Sequence, residues 1–174
     1  MKNIIAAIAL LIVSTGAFAQ NNITKAKISF ELKNLGIKTG GIIGGVQGNV
    51  AFDPNKLATS KIEATADVNT INTDNDMRDE HLKRDDYFDA EKYPKMSLSS
   101  VSFKKTKANS FTGVFNLTIK GITKAVEVPF VYAATSAGNV FKGSFKINRK
   151  DFKIGGNSMT MSDDVTVNFE AEAK

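Results

Sequence analysis

From Ala26 onward the chain alternates apolar and polar residues with a period of two, and no other feature narrows its fold as much. Successive side chains of a strand point to opposite faces, so alternation marks a strand with one face in a core and the other in water. Ala26, Ile28, Phe30 and Leu32 alternate with Lys27, Ser29, Glu31 and Lys33. The same pattern recurs at 46–52, 62–68, 96–103, 111–119, 126–132, 141–147 and 165–171, with a slip of phase near Ser99-Ser100. Gly36 and Gly40-Gly41 read as a turn, and the Gly-rich stretch 38–48 as a loop. A second loop, Gly155-Gly156-Asn157-Ser158, is placed to cover one end. Eight strands joined mostly by short turns predict an all-β antiparallel fold, either a closed barrel or a sandwich. Eight strands make a barrel whose interior is either filled by side chains or holds one small ligand.

The alternation breaks once. Residues 74–94 are dense in charge and poor in β-branched residues. Asp74, Asn75 or Asp76 can cap a short helix, Glu80 and Arg84 stand four apart on it, and Pro94 ends the segment. This predicts a helical insertion of one or two turns between two strands.

The first residues are set aside from the fold. Lys2, an uncharged apolar run over 4–13 and then Ala17-Phe18-Ala19 form the pattern of a signal peptide over 1–19. The run is shorter than the roughly 20 residues of a bilayer span. Residues 20–174 make one ordinary domain, and export to the periplasm or the exterior is expected. The net charge of +5 is spread over the strands rather than gathered in a patch, which does not suggest nucleic-acid binding. The chain has no Cys, so its stability must come from a core rather than from disulfides, and thiolate metal sites are excluded.

Twelve Phe and no Trp are present. Phe30, Phe52, Phe103, Phe115, Phe130, Phe145 and Phe169 fall on the inward registers. Gly113 and Gly143 share those registers. Two readings stay open on the residues alone. The interior is a packed core in which Gly marks bends, or Gly leaves part of an apolar lumen vacant.

Catalytic signals are missing. His81 is the single histidine, and no Gly-x-Ser-x-Gly turn presents a serine. The stretch Gly40-Gly41-Ile42-Ile43-Gly44-Gly45-Val46 lacks the Lys and Ser/Thr of a phosphate loop. The carboxylates between Asp74 and Asp89 lack calcium-loop spacing. No enzyme, metal or cofactor is expected, and His81 reads first as a structural hydrogen-bonding residue.

Three elements together carry a family resemblance. Asn72, then Arg78-Asp79-Glu80-His81-Leu82, Tyr87-Phe88-Asp89 and Tyr93-Pro94 form the first. The second is Gly113-Val114-Phe115-Asn116-Leu117-Thr118-Ile119-Lys120-Gly121-Ile122-Thr123-Lys124, and the third Asn148-Arg149-Lys150-Asp151-Phe152, followed by Asp163-Asp164-Val165. In order and spacing this resembles the YceI-like family. The resemblance implies an extended, lipocalin-like, eight-stranded antiparallel barrel that binds a polyisoprenoid or other long amphipathic lipid. On that basis the seven inward Phe are candidates for contact with the tail. Arg78, His81, Leu82 and Phe88 are candidates near a mouth beside the insertion, with Arg84 also able to meet a polar head. Arg78 and Asp79 read first as a salt-bridged clamp fixing the insertion, and Tyr87, Phe88 and Tyr93 as a gate or as core. A homodimer and transient contact with a membrane surface are open as partners. A filled structural or interaction module is the alternative. The chain departs from the family at Lys25-Ala26-Lys27-Ile28-Ser29, where an Asp-x-x-His-Ser element is usual.

Overall fold

The computed structural model describes residues 21–174; the expected signal segment lies outside them. The strands are β1 (Asn21–Asn34), β2 (Ile37–Ile43), β3 (Gln47–Ala51), β4 (Lys61–Asp67) and β5 (Lys95–Lys107), then β6 (Ser110–Ile119), β7 (Ile122–Thr135), β8 (Gly138–Asn148) and β9 (Asp164–Ala173). One helix, α1 (Asp76–Lys83), stands between β4 and β5. Neighbouring strands pair antiparallel, and β9 returns to β1, from Ile23 opposite Ala173 to Glu31 opposite Thr166. The sheet is thereby closed into a barrel, although β2 pairs in a ladder with β1 alone and meets the chain on its other edge only at the isolated Ile42–Asn72 bridge.

β2 and β3 are two halves of one wall position, so the barrel has eight strand positions. β1 faces β2 from Ile28 opposite Ile43, and faces β3 at Asn22 opposite Asn49, in one continuous register. The ladder breaks at Gly44. Its N–H donates to Thr70 Oγ1 at 2.7 Å, and its carbonyl accepts from the Asp67 N–H at 3.1 Å.

Most of the stretch expected as a Gly-rich loop is therefore strand β2, and the turn before it is Leu35-Gly36. Gly40 and Gly41 serve close approach rather than turning. A side chain on Gly40 would collide with the Phe30 carbonyl, and one on Gly41 with the Asn72 backbone, where Ile42 and Asn72 form an isolated bridge. The slip expected near Ser99-Ser100 is a bulge between Ser100 and Ser102 that turns Val101 outward, leaving it exposed.

The interior is built in two parts. At the end holding residues 21 and 174, whose strands are tied by Asn22–Lys174 backbone bonds, aromatic rings form a plug. Phe52 is its centre. Its ring lies 5.1–5.6 Å from those of Phe103, Phe111, Phe130, Tyr132 and Phe141, mostly edge to face, the arrangement favoured by ring quadrupoles. Burial raises the Tyr132 phenol above its ordinary pKa, and its hydroxyl donates to Asn139 Oδ1 at 2.9 Å. At the opposite end a second cluster includes Val68, Ile71, Ala90, Phe152 and Ile154, with Leu82, Tyr87 and Phe88 of the insertion packed against it.

Gly113 and Gly143 serve the rings. A Cβ on Gly113 would strike the Phe115 and Phe103 rings, and one on Gly143 the Pro129 carbonyl and the Phe169 ring. The vacancy expected beside them is occupied by aromatic carbon.

Candidate functional site

Between the aromatic plug and the second cluster lies an apolar cavity of about 240 Å³. That is far larger than the void one water needs and just under the roughly 300–1,000 Å³ of typical ligand sites. Each wall strand contributes through its inward register, as with Ile28 and Phe30 of β1, Leu98 of β5, and Val167 and Phe169 of β9. Small residues keep it open: Ala26, Ala64, Ala66 and Ala171 all line it. Away from the plug it reaches Leu32, Ile43 and Met161, and Leu82, Tyr87 and Phe88 cover it from the insertion. Its exposed surface is wholly apolar, so it offers nothing to a charged or hydrogen-bonding group and favours hydrocarbon.

The structure divides the expected contact residues into two sets. Phe30, Phe115, Phe130, Phe145 and Phe169 line the cavity, as do Leu82 and Phe88. Phe52 and Phe103 do not; they belong to the plug, Phe52 just past the end of β3 and Phe103 on β5 toward the same end of the barrel. Arg78 and His81 also stand outside the cavity wall. Ile43 and Met161 carry no signal as contact residues in the sequence, and the four alanines, though on the apolar faces of their strands, are not among the expected contacts. The signal of the alanines is their small size.

Arg78 is a clamp, though not an ion pair with Asp79. Both converge on Thr73: Arg78 Nε donates to Thr73 Oγ1 at 2.8 Å and its Nη2 to the Thr73 carbonyl at 2.6 Å. Buried Asp79 accepts from the Thr73 N–H at 2.9 Å and from its hydroxyl. Asn75 caps α1, accepting from the Arg78 N–H at 3.0 Å. Glu80 pairs with Lys83 at 2.8 Å rather than with Arg84. His81 is half exposed, 3.4 Å from Asp86 and edge-on to Tyr87; its Nε2 and ring are used in holding the insertion. Met77 of α1 is exposed.

The connection between β8 and β9 is held by Arg149, which lies at the cavity end and is 3% exposed. It donates to the carbonyls of Ser162, Ile154 and Gly156 and to Asp163 Oδ1, at 2.8–3.1 Å. Lys150 meets the other Asp163 oxygen at 2.8 Å. The hydrogen bond from Lys150 holds the Asp163 carboxyl below the usual carboxylate range; partial desolvation opposes it, and the charges of Lys150 and Arg149 add to it. A depressed folded-state pKa contributes stability that is present above the unfolded value of 3.8 and is lost as pH falls through the folded value. Asp163→Asn is therefore expected to be less stable than the parent at pH 7, with the gap narrowing below pH ~4. Urea midpoints measured across that range check this, and a gap that is constant with pH would refute it.

A family model described as the YceI-like domain matches residues 20–173. The chain belongs to the YceI-like family. Relatives include UPF0312 proteins of Yersinia enterocolitica, 30% identical over 138 residues, and of Photorhabdus laumondii, 31% identical over 138 residues. Each alignment spans 74% of this chain and 70% of the relative. Burkholderia cenocepacia BcnA has the same barrel, with a TM-score of 0.81 and 28% identity over 86% of this chain and 96% of BcnA. A polyisoprenoid binding domain from Saccharophagus degradans superposes with a TM-score of 0.70 over 90% of this chain and 99% of that one, at 14% identity, which speaks for the fold alone. In this YceI-like chain the signature residues map mainly onto the frame of the cavity. Arg78 and Asp79 lock the insertion, Arg149 locks the β8–β9 connection, and Gly121, at φ +72°, leaves room for the Tyr93 ring.

Proposed function

We propose that this chain binds a long apolar molecule, an isoprenoid or similar lipid, inside the barrel and so sequesters or carries it. The observation that supports the reading most is the wholly apolar cavity between two packed ends. Transfer of hydrocarbon from water into such a space is favourable by about 25 cal/mol per Å² before ordering costs. The walls supply no polar partner, so a polar head stays at the end near Leu32, Ile43 and Met161. Membership of the YceI-like family and the shared fold with a domain described as polyisoprenoid-binding favour the same ligand class. The reading is non-catalytic and places the protein outside the cytoplasm. Lys2, the apolar run 4–13 and Ala17-Phe18-Ala19 support export.

Organic extraction of the purified protein followed by mass spectrometry tests the proposal, together with displacement of an apolar fluorescent probe by isoprenoids. Recovery of a long-chain lipid and competitive displacement are expected. An extract empty of lipid, with a probe that isoprenoids leave in place, would reject the carrier role.

A further inference from the structure

The tip of the β1–β2 hairpin breaks three rules of folding at once. Leu35 and Gly36 both have positive φ, 52° and 77°, the pair of conformations a two-residue primed turn requires, for which Asn-Gly is the favoured sequence. A leucine in that left-handed conformation is strained. Leu35 is also 73% exposed, and Ile37 beside it 69% exposed. One step back, Lys33 and Lys38 are directly opposite each other across the strands, a like-charge pair that weakens a hairpin. Strain, exposed hydrocarbon and paired cations each oppose folding.

A second tip is tied to the first. The Leu35 N–H donates to the Thr160 carbonyl at 2.9 Å, Asn34 bridges Met161, and the Ser162 N–H donates to the Lys33 carbonyl at 2.8 Å. These bonds place Met159, which is fully exposed, next to the hairpin tip on the edge of β1 that faces away from β2. Leu32 and Met161, immediately beneath, line the cavity.

We infer that Leu35, Ile37 and Met159 enter the surface of an anionic bilayer, with Lys33 and Lys38 at the level of its head groups. The order of chemistry along the hairpin fits that surface: hydrocarbon outermost, then two cations, then Glu31 two residues further back, roughly 7 Å behind them. Glu31 engages Lys38 at 3.3 Å on the exposed flank, a contact too solvated to neutralise the pair against a charged membrane. Docking in this pose sets the lipid surface against the residues where the cavity ends, and its use in loading or unloading the barrel rests on the carrier reading above.

Flotation of the purified protein with vesicles tests the inference. Binding to phosphatidylglycerol vesicles, weakening as salt rises, and much weaker binding to phosphatidylcholine are expected. Leu35→Asn is the discriminating variant, because asparagine suits the turn better. It is expected to lose on the order of tenfold in vesicle affinity while its melting midpoint rises by roughly 2–4 °C. Ile37→Ser should lose affinity similarly, and Lys33→Gln with Lys38→Gln about 25-fold, at roughly 5-fold per cation, with the salt dependence reduced. No flotation of the parent with phosphatidylglycerol, unchanged flotation of Leu35→Asn, or a lowered midpoint in that variant would each overturn the docking surface. Uptake of an apolar probe in vesicle-free solution reports the cavity separately. A parent that takes up probe but does not float refutes docking alone, and one that floats but takes up no probe refutes the carrier reading alone.

Discussion

Arg149→Met is expected to destabilise the barrel by about 3–5 kcal/mol, because three confined carbonyls lose their donor at about 1–3 kcal/mol each, and to lower the melting midpoint by on the order of 10 °C. The side chain is 3% exposed, so its guanidinium has left water almost entirely. Four hydrogen bonds compensate, reaching Ser162, Ile154, Gly156 and Asp163. A thioether fills similar volume but donates nothing, which leaves these acceptors poorly paired in a confined place. Arg149→Lys recovers little, since one compact ammonium cannot span a set of acceptors matched to a planar fork. Urea and thermal unfolding measure the loss. A methionine variant within about 1 kcal/mol of the parent would show that the acceptors find other donors and that Arg149 is dispensable to the fold. The same change is expected to loosen the β8–β9 connection, which carries Met161 at the cavity end.

Ala64→Trp is expected to weaken binding of an apolar probe or extracted lipid by about 100-fold, equivalent to roughly 2.7 kcal/mol. Ala64 lies on the inward register of β4 and lines the cavity. An indole projected there claims much of a space of about 240 Å³, and the tail it displaces loses its dry surface. The cost to folding is expected to be small, because the ring enters vacant volume rather than a packed core, where added bulk usually costs 1–3 kcal/mol. Ala26→Phe, on β1 two wall positions away, should act in the same direction. Glu63→Trp is the control, one residue away and exposed on the outer face, and should bind as the parent does. Fluorescence titration with the probe decides the matter. Unimpaired binding in both filled variants, with the fold intact, would place the ligand somewhere other than the barrel interior.

The local grammar of this chain was readable from its residues. Alternation from Ala26 to Ala171 identified every strand except β2, with their inward faces apart from the bulge at Val101, since a period of two is decided by each residue and its immediate neighbours. The interruption at 74–94 marked the insertion and its capping region, where Asn75 takes the cap of α1. Glycine misled the reading in two places. Gly40 and Gly41 read as a turn but allow a neighbouring backbone to approach, and Gly113 and Gly143 read as vacancy but accommodate rings. In both cases what the missing Cβ makes room for comes from a different part of the chain.

Alternation, the helix cap and the absence of thiol chemistry belong to single residues and short segments, and the sequence by itself determined them. Which inward residues meet was decided by the tertiary structure. Phe52 and Phe130 carry the same side chain on the same kind of inward face, yet Phe130 borders the cavity while Phe52 fills the plug. Height along the barrel axis separates them, and that height follows from the register of every strand pair around a closed ring. The joining of Leu35 to the Thr160 segment, and of Arg149 to carbonyls up to thirteen residues away, likewise came from closure. Such contacts depend on how distant segments are brought together, and no local pattern of residue types encodes that distance.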